Sequence, residues 1–352
     1  MPSRLRPLLC LVLLGLASCA SIGPATVRRD RLDYSEALAE AAKREILLNI
    51  VKLRYGDVPN LVSVSQLVAG YSLEGRVDLR SDFFRESFDF SDDVAFGIGG
   101  TFSDRPTVTY TPIKGEDFVR VMLTPIPPGE LIAMLAAGTP GDAVLGLGVQ
   151  SINQRRNWTA DAGGRIDRAF DQILGLLEGL RADGLLGFRF DVQPTGRTAY
   201  LLLDQHGGEL DPRAERLLSL LGLDPAGRSF PIRFGFGEGR PGEIRIYTRS
   251  LIEILNILGA QIEVPGADVA DGRTYATLAT GDGLEALPIV TVTSSELPPF
   301  GAFVAVEYRG TWFHVDDSDF RSKRVFSVLM LILNLVENIG GQQLPVITIP
   351  SG

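Results

Sequence analysis

Apolar residues recur at helical spacing over residues 36–55, where Leu38, Ala41, Ala42, Ile46, Ile50 and Leu53 form one stripe and Leu47, Leu48 and Val51 widen it. A stripe that broad predicts a helix whose second half is buried on most sides. Asp33 or Ser35 is placed to cap it, because a short oxygen-bearing side chain accepts a bond from the free amides of a first turn. Gly56-Asp57-Val58-Pro59 ends the block, and between 61 and 111 the period changes to two. Val62-Ser63-Val64-Ser65, Arg76-Val77-Asp78-Leu79 and Thr107-Val108-Thr109-Tyr110 alternate apolar with polar residues, the mark of strands joined by hairpins.

Short helices are predicted over 116–123 and 129–137, the second entered through Pro127-Pro128, and a strand near 143–152. A rhythm of one helix and two strands then recurs about every 45 residues, without clear self-similarity of sequence. It begins with a helix at 165–182 and strands near 186–193 and 198–204 about the turn Pro194-Thr195-Gly196-Arg197. A helix at 212–221 has Asp211 as cap, Pro212 in its first turn and Gly222 as its stop. Strands near 230–236 and 243–248 lead to a helix at 250–258 that stops at Gly259. Strands near 289–294, 302–308 and 311–315, a helix at 319–337 and a strand at 344–349 complete the pattern. Helices interleaved with antiparallel hairpins predict an α+β fold, not a doubly wound sheet. Within the last helix, Val325 to Val336 is apolar on nearly every side, with Leu331 at its middle. Such a run is too short to cross a bilayer and predicts a helix buried in the core.

The N-terminus carries a different signal. Arg4 and Arg6 precede the uncharged run Leu8 to Leu16, which leads into Leu16-Ala17-Ser18-Cys19. Basic, apolar and small-residue segments in that order are a secretory signal, and the apolar part is about half the length of a membrane span. Leu-Ala-Ser-Cys resembles the bacterial lipobox, in which the cysteine receives diacylglycerol before cleavage; the expected products are a signal at 1–18 and lipid on Cys19. No aspartate follows Cys19, which resembles the outer-membrane default and implies a periplasm-facing anchor. Residues 19–34, with Arg28, Arg29 and Arg31, are expected to be a tether, followed by a helix and β-rich region at 35–160 and an α+β region at 161–352.

Removing Arg4 and Arg6 with the signal moves the formal charge from −9 to −11, and no basic run reverses this locally, so a nucleic-acid partner is not expected. Cys10 leaves with the signal and Cys19 carries lipid; with only two histidines remaining, no metal or other cofactor is expected. The glycine clusters at 97–100, 146–148 and 235–239 complete no nucleotide-binding fingerprint, and no Gly-x-Ser-x-Gly elbow is present.

The densest group of candidate chemistry is His314, Asp316, Asp317 and Asp319. A histidine beside carboxylates suits general-base work, and three close acids suit a cation, yet the spacing departs from a calcium loop. His314 alternates with Phe313 and Val315, so it faces away from them. The plainer expectation is that the acids end a strand and cap the last helix, with Asp316 or Asp319 pairing Ser322, Lys323 or Arg324. Arg54-Tyr55-Gly56-Asp57 and Thr248-Arg249-Ser250 are expected to serve helix ends.

Three stretches, Leu47 to Asp57, Tyr247 to Ser250, and Tyr308 to Asp317 continuing through Ser322-Lys323 and Phe326, resemble a family of uncharacterised proteobacterial proteins that are often lipoproteins. The resemblance spans roughly residue 35 to the C-terminus and implies one intact unit; it implies no catalytic residue. The expectation is therefore a non-enzymatic envelope lipoprotein, a scaffold or accessory subunit with an envelope protein partner. The competing expectation is a periplasmic hydrolase or ligand-binding enzyme built on His314, Asp316 and Asp317.

Overall fold

The computed structural model describes residues 23–68, 71–81, 94–104, 107–157, 167–193, 196–204, 209–277 and 288–338. The signal expected at 1–18, Cys19, the Pro194-Thr195 turn and the strand expected at 344–349 lie outside the described residues. The fold is α+β.

The chain divides into two compact units, residues 60–115 and the remainder. The smaller unit is made of strands β1 (Val62–Val68), β2 (Tyr71–Ser81), β3 (Val94–Asp104) and β4 (Thr107–Pro112). β2 pairs β3 and β1 pairs β4, both antiparallel, so one hairpin is nested in sequence inside the other pair.

The larger unit opens with helix α1 (Gly23–Arg54), 32 residues or about 48 Å long. It starts well before the expected 36. Asp33 and Ser35 lie inside it and are exposed, so neither caps it. Pro24 suits a first turn, and the residues between it and Asp33 include no glycine or further proline to break the helix. Among its described side chains the buried apolar ones are Ile46, Leu47, Ile50 and Val51, all in the second half.

A single α-turn (Glu116–Phe118) runs into a π-turn (Val119–Leu123), and α2 (Pro128–Ala136) follows behind Pro127. The strand expected near 143–152 is corrected: Gly141–Gly148 is helix α3, and strand β5 is only Val149–Ile152. Ala143, Val144, Leu145 and Leu147 are all buried, and a short run apolar on every side carries no period that separates helix from strand.

A six-stranded sheet forms the main layer, with β6 (Arg155–Arg156), β7 (Leu186–Gln193), β8 (Gly196–Leu203), β9 (Ser229–Phe234) and β10 (Ile244–Thr248) in the order β6-β5-β10-β9-β8-β7. β9 and β10 are parallel, which corrects the expectation of antiparallel hairpins throughout. Residues 235–243 carry the chain back instead of closing a two-strand turn, so Ile244 starts beside Ile232 and β10 meets β5 antiparallel on its other side. Helix α5 (Pro212–Leu221) has the cap the sequence indicates, the Asp211 carboxylate accepting from the Arg213 amide at 2.8 Å; helix α4 (Arg168–Ala182) starts at residue 168, not 165, and is capped by Asp167, which accepts from the Ala169 amide at 2.9 Å. Between these helices and the sheet lies an apolar void of about 20 Å³ among Ile132, Ile173, Leu201 and Ile246, room for about one water.

Helix α6 (Leu251–Ala260) does not stop at Gly259. A Cβ there would lie 3.2 Å from the Ile50 carbonyl oxygen, so this glycine lets α6 approach α1 closely. A short helix α7 (Gly266–Ala270), not foreseen from the pattern, follows. Strands β11 (Thr293–Ser295), β12 (Ala302–Tyr308) and β13 (Thr311–Asp316) make an antiparallel sheet in the order β11-β13-β12. Helix α8 (Phe320–Asn338) follows it. Val325, Phe326, Leu329, Ile332 and Val336 form its buried stripe. Leu331 is 51% exposed and lies outside that stripe, so the expectation of a helix buried all round is corrected. No helix among the described residues is long and apolar enough to cross a membrane.

Candidate functional site

The β12–β13 hairpin turns on Arg309 and Gly310, both at positive φ (53° and 82°), which suits the tight two-residue connection. It sends Phe313 and Val315 into the core beside Val304 and Val306, and His314 to the opposite face. The His314 ring nitrogen Nε2 lies 3.1 Å from the Thr293 hydroxyl on β11. Its Nδ1 is buried and has no hydrogen-bond partner among the described residues.

The three acids point to three different places. Asp316 accepts from the Ser318 amide (2.7 Å) and hydroxyl (2.5 Å), and those bonds hold its carboxyl below the usual range. Asp317 accepts from Lys323 Nζ at 2.6 Å. Asp319 caps α8, taking the Ser322 amide at 3.0 Å and its hydroxyl at 2.5 Å. Ser322 Oγ in turn accepts from the Thr291 amide at 2.9 Å, which ties the cap to the strand leading into β11. Burial pushes the Asp319 carboxyl up, but the Ser322 bonds outweigh it and the net shift is downward. Arg324 pairs with Asp142 of α3, not with Asp316 or Asp319. No group of three metal-ligating side chains occurs among the described residues.

Because its carboxyl titrates lower in the folded chain, the Asp319 cap contributes fully above the ordinary aspartate pKa of about 3.9 and is lost as pH falls through the lowered folded-state value. Asp319→Ala is expected to cost about 0.5–2 kcal/mol at neutral pH and less in acid, measured by urea unfolding at two pH values. An equal cost at both would show that the carboxylate does not act as the cap.

Two arginines that the pattern places at helix ends are among the largest fully buried side chains. Arg54 ends α1; its Nη1 donates to the Ala260 carbonyl at 3.2 Å, and its Nη2 to the Tyr275 carbonyl at 2.8 Å and Thr277 Oγ1 at 3.4 Å. The guanidinium also stacks 3.9 Å from the Tyr275 ring centroid. Arg249 Nη1 donates to the carbonyls of Gly146 and Leu147 at 2.8 and 3.0 Å, filling the open C-terminal end of α3. Burial pushes the Arg249 guanidinium down to about 10, against the pull of Glu253, so it stays charged at neutral pH.

Sequence reasoning missed a second cluster, which joins residues some 250 positions apart. Tyr55 donates to Asp268 of α7 at 2.6 Å, and burial with this bond drives its phenol well above the usual range. Asp57 accepts from the Tyr308 hydroxyl and, at 3.2 Å, from Arg309 Nη2; these partners hold it below the usual carboxylate range. The Tyr55 ring stands 5.4 Å from Tyr308 and 6.1 Å from Phe313, centroid to centroid. The Tyr-Gly-Asp and Tyr-Arg-Gly stretches thus lock the end of α1 onto the β12–β13 turn. The sequence singles out both stretches and supplies tyrosine, arginine and aspartate at element ends, but not that the two meet.

No protein-family model matches the chain, and no curated protein or solved structure matches it.

Proposed function

We propose that this chain is a non-enzymatic lipoprotein of the cell envelope, anchored in the outer membrane by lipid on Cys19, facing the periplasm and acting as a scaffold or accessory subunit for another envelope protein. The observation that supports this reading is the separation of His314 from its neighbouring acids. In histidine triads a third group orients the imidazole through its second ring nitrogen. Here Nδ1 has none among the described residues, while Asp316, Asp317 and Asp319 are committed to Ser318, Lys323 and Ser322.

The test compares His314→Gln with wild type in a deletion strain. Glutamine keeps a hydrogen bond to Thr293 within reach but cannot take up a proton. Full complementation with an unchanged melting temperature is expected. A stable protein that fails to complement would move the hydrolase reading to first place.

The anchor has its own test. Cys19→Ser removes the thiol that receives diacylglycerol, so the protein should stay uncleaved or be released to the soluble periplasm. Mature protein still wholly in the membrane fraction would defeat the assignment. Two or more acyl chains give effectively permanent attachment, so partial release in wild type would also count against it.

A further inference from the structure

Among the described residues β12 is an edge strand of its sheet, flanked by α1, and a groove of about 590 Å³ opens beside it. The groove runs between the strand and the Glu40, Arg44 and Leu48 stripe of α1, with Pro298, Pro299 and Trp312 in its walls. The two-residue turn makes Tyr308 and Thr311 a hydrogen-bonded pair, so by alternation the amides and carbonyls of Ala305 and Glu307 point away from β13. Those groups have no backbone partner among the described residues. An open edge of this kind is a template for another strand.

Three side-chain features say what strand would fit. Glu307 is exposed and makes no ion pair among the described residues, whereas Glu40 is already held by Lys43 and Arg44. Half-buried Trp312 presents its ring to the groove without a ring contact or a hydrogen bond among the described residues. On the rim, the loop Leu297-Pro298-Pro299-Phe300 holds out two large apolar side chains, with Leu297 76% exposed and Phe300 fully so. An acid without a partner, an amphipathic ring and a proline-stiffened apolar rim around free backbone groups are what strand addition uses: the main chain for affinity, alternate side chains for specificity.

The geometry points to a peptide-docking site: an extended segment of a partner protein adds to the edge of β12, with a lysine or arginine over Glu307 and an apolar residue against Trp312. This deepens the scaffold reading above and rests on it for the identity of the partner as a protein. Glu307 is the specificity-determining residue, and the Ala305 backbone is the anchor.

The probe is a blocked eleven-residue peptide of alternating valine and threonine with a central lysine, compared with its twin carrying glutamate there. Binding to the full mature chain is followed by anisotropy of a peptide label. The lysine peptide is expected to bind wild type about tenfold tighter than the glutamate peptide, with the order inverted on Glu307→Lys. Ala305→Pro, which removes an outward amide at an edge position that tolerates proline, should abolish both. Equal binding of the two peptides, no inversion, or no binding overturns the site. Glu307→Lys changes an exposed side chain, so it decides the matter even where Ala305→Pro does not fold.

In cells, a photo-cross-linking residue at 305 of the lipidated chain is expected to mark an extended segment of another protein containing lysine or arginine. A cross-link to residues 339–352 of the same chain, or to a second copy, overturns the proposal. Loss of peptide binding with intact complementation by His314→Gln removes the groove and leaves the scaffold reading. Intact peptide binding with failed complementation does the reverse.

Discussion

Replacing Arg54 with alanine is expected to destabilise the larger unit by about 2–5 kcal/mol, through lost packing and lost buried bonds. The side chain is buried, and three acceptors, the Ala260 and Tyr275 carbonyls and the Thr277 hydroxyl, face its two terminal nitrogens. Removing the donor leaves the buried Ala260 carbonyl without its partner, at about 1–3 kcal/mol, while the acceptors of the exposed Tyr275 and Thr277 can turn to water. The cation over Tyr275 goes as well. Relaxation around the gap keeps the sum below simple addition. Arg54→Met separates shape from bonding, because it keeps much of the volume and none of the donors. It should fall close to alanine. Arg54→Lys should recover only part of the loss, since a point charge cannot span a forked acceptor set. Urea-unfolding midpoints of the three variants rank them, and a methionine variant as stable as wild type would mean that the buried bonds add nothing net.

A second large effect comes from α8, as a contrast between neighbours. Leu329 is fully buried and Leu331 half exposed, two residues apart in an unbroken apolar run. Leu329→Ala leaves a cavity and is expected to cost about 2–5 kcal/mol. Leu331→Ala should cost about 0.5 kcal/mol or less, as surface changes do. Aspartate sharpens the contrast: at 329 it strands a charge in the core, and at 331 it meets water. Melting temperatures of the four variants test this. Equal losses at the two positions would mean that the outer face of α8 is covered in the folded protein, and the assignment of its buried stripe would be wrong.

Several features of the candidate site are legible along the chain because they are local. That Asp319 caps α8, and that His314 faces away from Phe313 and Val315, follows from the identity of a few adjacent residues and the alternation of a strand. The same holds for α5, whose cap Asp211, first-turn Pro212 and stop Gly222 all lie within its own twelve positions. The partners of Lys323 and Arg324 were only half readable: Asp317 is six residues away, but Asp142 belongs to another helix.

By itself, then, the sequence determined most of the alternation of helices and strands, the caps of α5 and α8, the tight Arg309-Gly310 hairpin and the α+β class, since each depends on backbone preferences acting over a few residues. Tertiary structure decided the rest. Whether a run apolar on every side becomes helix or strand, as at 141–152, or which of its faces is buried, as in α8, depends on the neighbours it meets and not on its own period. The parallel pairing of β9 with β10 depends on where a loop sets the chain down. Arg54 and Arg249 look like surface charges until carbonyls from distant segments close around them, which only a completed fold can arrange. The edge position of β12 among the described strands is likewise a property of the assembled sheet: an edge exists only once the other strands have taken their places.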